Sequence, residues 1–242
     1  MKYVLLILLF VFVYNLSAQQ TKEWLDNLEN PEFYLYELQK EDVKSKYVNY
    51  DFSTLLTPKR NFLGYIGSKY RRIKIYYSSI TKDQNKDDIY NIKGISLVES
   101  NKCNFSGAIK IEQIREYKQM HFGVDNYLKD AGFKAQGVLV GSYIFKENPE
   151  QNHSGIFEGI ITLYWYLDKH DIIHYDQIES HSDSYKNNQY VGTWTEYNKQ
   201  NIKVCSWGEL RIPFSGDLDI GAAYFSPNPK YKDKGWSDLV EN

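Results

Sequence analysis

The chain has 242 residues, with 29 Lys or Arg against 31 Asp or Glu, and a formal net charge of −2. This near-neutral balance argues against a dedicated nucleic-acid-binding protein, which would carry a basic excess. The length is sufficient to bury a core without cross-links. Aromatic residues make up 16% of the chain, including 22 Tyr, and because they favour pleated, half-buried surfaces the composition predicts a β-rich protein.

Residues 1–18 predict a secretory signal peptide. Lys2 is followed by an apolar run over residues 3–14, and the small residues Ser17 and Ala18 end the segment. The run is too short for a spanning helix, which needs about 20 apolar residues, so cleavage is favoured over anchoring. We therefore expect an exported protein, periplasmic or extracellular, soluble and without a membrane span after cleavage. Export also argues against cytosolic cofactors such as nucleotides, and no cofactor is predicted.

Two regions follow the signal peptide. Residues 19–58 are charged and lack dense strand patterning, which predicts a small helical N-terminal segment. Residues 59–242 contain about eight short apolar or alternating segments separated by turn signals. In one of them, Ile73, Ile75 and Tyr77 share a face. This spacing is typical of an antiparallel sandwich or barrel.

Glycines recur inside the predicted strands. Interior glycines mark bulges, bends or close backbone approach, which strongly curled sheets require. The fold class predicted is therefore all-β and mainly antiparallel, a single barrel-like or curled sandwich domain. The glycines concerned are Gly94, Gly107, Gly141, Gly159 and Gly192.

The chain contains two cysteines, Cys103 and Cys205. In an oxidising compartment an even pair is compatible with one disulfide. The alternative is two unrelated buried thiols, which are common packing residues. The sequence leaves both interpretations open, because pairing cannot be read from spacing alone.

A polar loop that leads into an aromatic strand is the first candidate binding site. Asp183, Asn187 and Asn188 precede Trp194, and together they could hold a sugar-like ligand through amide, carboxylate and aromatic groups. The alternative is an ordinary turn, since Asn, Asp and Ser cluster in turns for backbone reasons.

The second candidate cluster contains Trp207, Glu209, Arg211, Asp217 and Asp219. The carboxylates could bind calcium or act as an acid–base pair. The alternative is that Arg211 pairs with one of the acids and locks the end of the domain. Neither a metal site nor a catalytic set is predicted, because the sequence has no motif with specific spacing for either.

Residues 62–67, 187–194 and 211–221 resemble a family of secreted bacterial proteins of unknown function, over most of residues 50–236. This resemblance implies no activity. The Gly192-Thr193-Trp194 triplet is also similar to the Gly-x-Trp of lipocalins. There it opens the first strand, whereas here it lies near the end of the domain.

Three functional hypotheses follow. The leading one is a non-enzymatic binding or envelope-associated protein that receives a polar ligand, such as a glycan, or another envelope protein. The second is a carbohydrate-active hydrolase that uses Glu209, Asp217 or Asp219. The third is a structural or protein-interaction domain, which predicts no concave pocket. Convergence of Trp194, Trp207, Arg211 and Asp219 on one pocket would separate the first hypothesis from the third.

Overall fold

A computed structural model describes residues 19–30, 36–183, 185–197 and 201–240. The predicted signal peptide, residues 1–18, lies outside the described residues. Within the described ranges, no helix combines the length and the apolar character needed to cross a bilayer.

Short helices precede the sheet. α1 covers residues 19–28, α2 covers Lys44–Tyr47 and α3 covers Ser53–Leu56. Among the described residues, 3-10 turns lie at Val124–Asn126, Lys129–Ala131, Gly216–Leu218 and Pro229–Lys234. The ten strands are β1 Leu63–Ile66, β2 Arg71–Arg72, β3 Lys74–Lys82, β4 Ile89–Val98, β5 Asn101–Glu116, β6 Ala135–Glu147, β7 Gly155–Leu167, β8 Ile173–Tyr175, β9 Asn187–Glu196 and β10 Ile202–Glu209.

The strands form one antiparallel sheet in the order β2-β1-β10-β9-β7-β6-β5-β4-β3, with β8 beside β7. β2 and β3 lie at opposite edges of this sheet, yet only Ile73 separates them in the chain. One residue can join the two edges only because the sheet curls until they approach each other. The predicted all-β, antiparallel, curled architecture with a small helical N-terminal segment is confirmed.

The concave side of the sheet is filled by aromatic side chains. Tyr143, Tyr190 and Trp207 are fully buried there, and the Tyr190 and Trp207 rings stack with their centroids 4.8 Å apart. Gly159 and Gly192 pair directly across β7 and β9. A Cβ at Gly192 would lie 2.5 Å from the Tyr143 hydroxyl, so glycine is required for this ring to cross the strand.

The two ends of the curled sheet are built differently. The β1–β2, β4–β5, β6–β7 and β9–β10 connections all lie at one end, which we call the hairpin end. Residues 43–60 cover the other end, which we call the plug end. There Tyr47 packs on Trp165, with centroids 4.5 Å apart, and the Phe52 amide donates to the Tyr90 hydroxyl at 3.0 Å.

Further chain segments cover the outer face of the sheet. Leu28 of α1 and Leu38 pack on Val138, Val140 and Tyr164. The C-terminal segment adds a separate cluster over β1, formed by Tyr65, Ile212, Leu218 and Trp236. This covering explains why several strands are apolar on both faces.

Of the two interpretations of the cysteines, the disulfide is not present in the structure. Cys103 on β5 and Cys205 on β10 are free and buried. Three strands, β6, β7 and β9, separate β5 from β10 in the sheet. Burial raises the pKa of both thiols, so the structure agrees with the alternative of two packing residues.

Candidate functional site

A cavity of about 570 Å³ opens at the hairpin end. Its wall comes from eight strands, near their ends, and from the four hairpins that join them there. Phe157 of β7 lines the cavity and contacts the core ring of Trp207 at a centroid distance of 6.0 Å. The polar residues that line it include Ser96, Glu147, His153, Glu196 and Lys203.

Glu147 ends β6 and is buried at this cavity. Its carboxylate accepts hydrogen bonds from the Ser96 hydroxyl, from Trp194 Nε1 at 2.8 Å and from the Gly155 amide at 2.8 Å. Burial raises the pKa of Glu147, and the three donors oppose that rise. One side chain thus ties β4, β7 and β9 to the end of β6.

Trp194 is the predicted site residue that lines this cavity. Its side chain is 5% exposed, and its indole N–H donates a hydrogen bond to the Glu147 carboxylate. Lys203 of β10 places its ammonium 4.9 Å from the centroid of the Trp194 ring, within the range of a cation–π contact. The Lys203 side chain is therefore the group that covers the aromatic wall.

Charged side chains of both signs surround the opening. Arg71 pairs with Glu99 across two hairpins. His153 Nδ1 lies 3.4 Å from Glu196 Oε1. Basic and acidic groups are balanced here, so the arrangement suits a polar ligand with both donors and acceptors better than a highly charged one.

Asn187 and Asn188 of the predicted ligand loop are fully buried in the backbone of the fold. Asn187 Oδ1 accepts from the Tyr164 amide at 2.7 Å, and its Nδ2 donates to the Tyr164 carbonyl at 3.1 Å. Asn188 Nδ2 donates to the Leu56 carbonyl at 3.1 Å. These amides replace backbone partners where β9 begins, as the turn interpretation expected.

Trp207 and Glu209 also lie away from the hairpin-end cavity. Trp207 is a core residue. Glu209 is buried at the plug end, where its two oxygens accept from the amides of Lys59 and Arg60, both at 3.0 Å. Burial raises the pKa of Glu209. Its contacts anchor the segment that leads into β1.

Arg211 locks the C-terminal segment. Its guanidinium pairs with Asp219 at 2.7 Å and donates to the carbonyls of Asp183, Gly221, Ala222 and Ala223. This is the structural alternative that the sequence left open.

The three carboxylates considered for a hydrolase have separate surroundings. Asp217 is exposed and bonds Lys230 and Tyr231. Asp219 forms an ion pair with Arg211, and Glu209 is buried at the plug end. They do not form a carboxylate pair in one cleft.

Asp183 and Arg211 meet at a second, smaller cavity of about 280 Å³. The aromatic residue there is Trp24 of α1 rather than Trp194. Trp194, Trp207, Arg211 and Asp219 therefore do not converge on one pocket. Trp194 lines the hairpin-end cavity, Trp207 lies in the core, and Arg211 pairs with Asp219.

Sequence reasoning missed Glu147, Glu196 and Lys203. A signal for Glu147 was present, because it follows Tyr143 and Phe145 at intervals of two and so lies on the inward face of β6. In the described ranges, no group of three or more His, Cys, Asp or Glu side chains is placed to hold a metal ion.

No protein-family model matches the chain, and no curated protein or solved structure is significantly similar to it. The fold and cavity therefore define the protein only as a curled antiparallel β-sheet with a cavity at one end. The resemblance to a family of secreted bacterial proteins stays a prediction.

Proposed function

We propose that this is an exported, non-enzymatic binding protein whose hairpin-end cavity receives a polar ligand such as a glycan. The observation that carries the proposal is the cavity itself, about 570 Å³ in volume and lined by Trp194 together with charged and amide side chains. Ligand sites are typically concave, within roughly 300–1,000 Å³, and combine apolar walls with a few polar groups.

The rigidity of the wall supports this proposal. Glu147 fixes the Trp194 indole through a 2.8 Å hydrogen bond, so this ring is oriented before any ligand arrives. A preorganised site loses less conformational entropy on binding. Lys203 is the adjustable element, because a lysine side chain can leave the ring surface and expose it.

The cavity also favours binding over a purely structural role. A purely structural or protein-interaction domain does not require a concave pocket with a buried carboxylate.

A hydrolase is less well supported than a binding protein, because the three donors to Glu147 already occupy both of its carboxylate oxygens.

A glycan array followed by calorimetry tests the proposal. We expect Lys203→Ala to change the affinity for the best array ligand by about fivefold or more, since it alters access to Trp194. Lys93→Ala, at an exposed position of β4, is the matched control and should leave the affinity unchanged.

Trp194→Phe provides a second test because it keeps an aromatic ring but removes the hydrogen bond to Glu147. We expect weaker binding with the fold retained, as measured by calorimetry and circular dichroism. An array and calorimetric screen that stay blank for the wild-type protein would refute the glycan proposal.

A further inference from the structure

The second cavity, of about 280 Å³, lies against the outer side of the sheet and shares no lining residue with the hairpin-end cavity. α1, the loop before β9 and the segment after β10 form its wall. Its charged and polar residues are Asp183, Lys186, Gln189 and Arg211, and its aromatic residues are Trp24 and Phe214.

Lys186 is a partly buried cation in this cavity. Its Nζ lies 5.5 Å from the centroid of the Trp24 ring. No carboxylate within the described ranges forms an ion pair with it. Burial lowers the pKa of Lys186, and the positive charge of Arg211 lowers it further. A charge that is partly withdrawn from water is more stable beside an opposite charge, and among the described residues Lys186 has no carboxylate partner.

Arg211 does not need such an anion. Its guanidinium is compensated by Asp219 and by backbone carbonyls. Asp183 lines the mouth, but its side chain is exposed. The uncompensated positive charge in the cavity is therefore that of Lys186.

Gln189 also lines this cavity, and its side chain has an unused acceptor. Its Nε2 donates to the carbonyls of Asn187, Glu209 and Arg211 at 3.0, 3.3 and 3.0 Å. Because all three partners are carbonyl oxygens, the atom that faces them must be the amide nitrogen, and the other amide atom is the oxygen Oε1. Gln189 Oε1 is buried and accepts no hydrogen bond from the part of the chain that the structure describes.

The aromatic wall is held in place on both sides. Trp24 Nε1 donates to the Thr162 hydroxyl at 3.3 Å, which connects α1 to β7. The Phe214 ring meets the Trp24 ring edge-on at a centroid distance of 5.7 Å. The cavity is therefore formed by fixed side chains from three separate segments.

We propose that this cavity binds a small organic acid that also carries a hydroxyl or N–H donor. The ligand carboxylate accepts hydrogen bonds from Lys186 Nζ, and its hydroxyl or N–H donates to Gln189 Oε1. Sugar acids and hydroxy acids have this combination. The volume lies at the lower limit of ordinary ligand pockets, so the ligand is of monosaccharide size or smaller.

An NMR titration of the 15N-labelled full chain tests this assignment. The probes are D-glucuronate and L-lactate, with D-glucose as the uncharged counterpart of glucuronate. We expect at least one of the acids to shift the Trp24 indole signal and the amide signals of Lys186 and Gln189. Glucose should leave these signals in place.

Lys186→Met keeps the length and packing of the side chain but removes its charge. We expect it to weaken binding of the acid by about tenfold or more, as for the loss of a charged hydrogen bond. Lys93→Met, at an exposed position of β4 that lines neither cavity, is the matched control and should bind the acid as the wild type does. Spectra of both variants without ligand establish that they fold.

The pH dependence gives an independent reading. Binding requires a protonated Lys186, whose pKa is lowered by burial, so affinity should fall as the pH rises through that pKa, below about 10.4. Asp183→Asn removes a negative charge at the mouth and should tighten binding about twofold.

Two results would overturn the assignment. One is that neither acid shifts the Trp24, Lys186 or Gln189 signals at tens of millimolar. The other is that Lys186→Met binds the acid as tightly as the wild type. Because the glycan proposal is tested through Lys203 and Trp194, failure at one cavity does not imply failure at the other.

Discussion

The two ends of the sheet both contain a buried glutamate, but they use it differently. At the plug end, Glu209 accepts hydrogen bonds from the amides of Lys59 and Arg60, and residues 43–60 cover the core. At the hairpin end, Glu147 accepts hydrogen bonds from one backbone amide and two side chains, and a cavity remains beside it. A buried carboxylate therefore anchors chain segments at both ends of the sheet. What differs is whether a further segment fills the space.

The largest loss of stability should come from truncating a core side chain in the segment that covers the plug end. The Phe52 side chain is fully buried in the main core, so Phe52→Ala should lower the free energy of unfolding by about 4 kcal/mol. Urea denaturation followed by fluorescence measures this change. Tyr224→Ala, at a residue 79% exposed, is the control, and an equal loss in both variants would contradict the role given to the plug.

Although the hairpin end contains an open cavity, replacing its buried glutamate should lower the stability of the fold substantially. Glu147→Ala leaves the Ser96 hydroxyl, the Trp194 indole N–H and the Gly155 amide without their acceptor. We expect a loss of about 3 kcal/mol in the free energy of unfolding. Glu150→Ala, exposed in the same hairpin, should change it by no more than about 0.5 kcal/mol. If the two variants are equally stable, Glu147 does not hold this end together.

The pH dependence of stability should reflect both glutamates. Burial raises the pKa of Glu147 and of Glu209 in the folded state above the unfolded value of about 4.3. The folded state therefore binds their protons more tightly, and their contribution to stability is complete below that value and is lost as pH rises through the raised pKa.

Denaturation at pH 7, 6 and 5 measures this contribution. Between pH 7 and 5, Glu147→Gln and Glu209→Gln should each gain less stability on acidification than the wild type. If stability depends on pH in the same way in the wild type and both variants, these two carboxylates do not cause the gain in stability on acidification.

The smallest expected effect concerns the outer cavity. Lys186 is charged and partly buried without a carboxylate partner, so Lys186→Met should raise the melting temperature by roughly 3 °C. Because the pKa of Lys186 is lowered in the folded state, the wild type should approach the variant's stability as pH rises through that pKa. Calorimetric melting curves at neutral and alkaline pH measure both changes. A lower melting temperature for Lys186→Met at neutral pH would mean that the charge is compensated in the fold.

The sequence by itself determined the local features of this protein. Alternation such as that of Ile73, Ile75 and Tyr77, with glycines inside strands, was enough to predict a curled antiparallel sheet, because side-chain direction follows a period of two. The Asn187 and Asn188 turn was also readable, since short polar side chains compete locally for backbone partners.

Only the tertiary structure decided which residues share a site. Trp194 and Trp207 lie on neighbouring strands, yet one lines a cavity and the other is buried in the core. Lys186 and Trp24 are distant in the chain and meet only because α1 packs on the outer face of the sheet. Such contacts depend on strand order and curvature, which arise from long-range pairing that no local pattern contains.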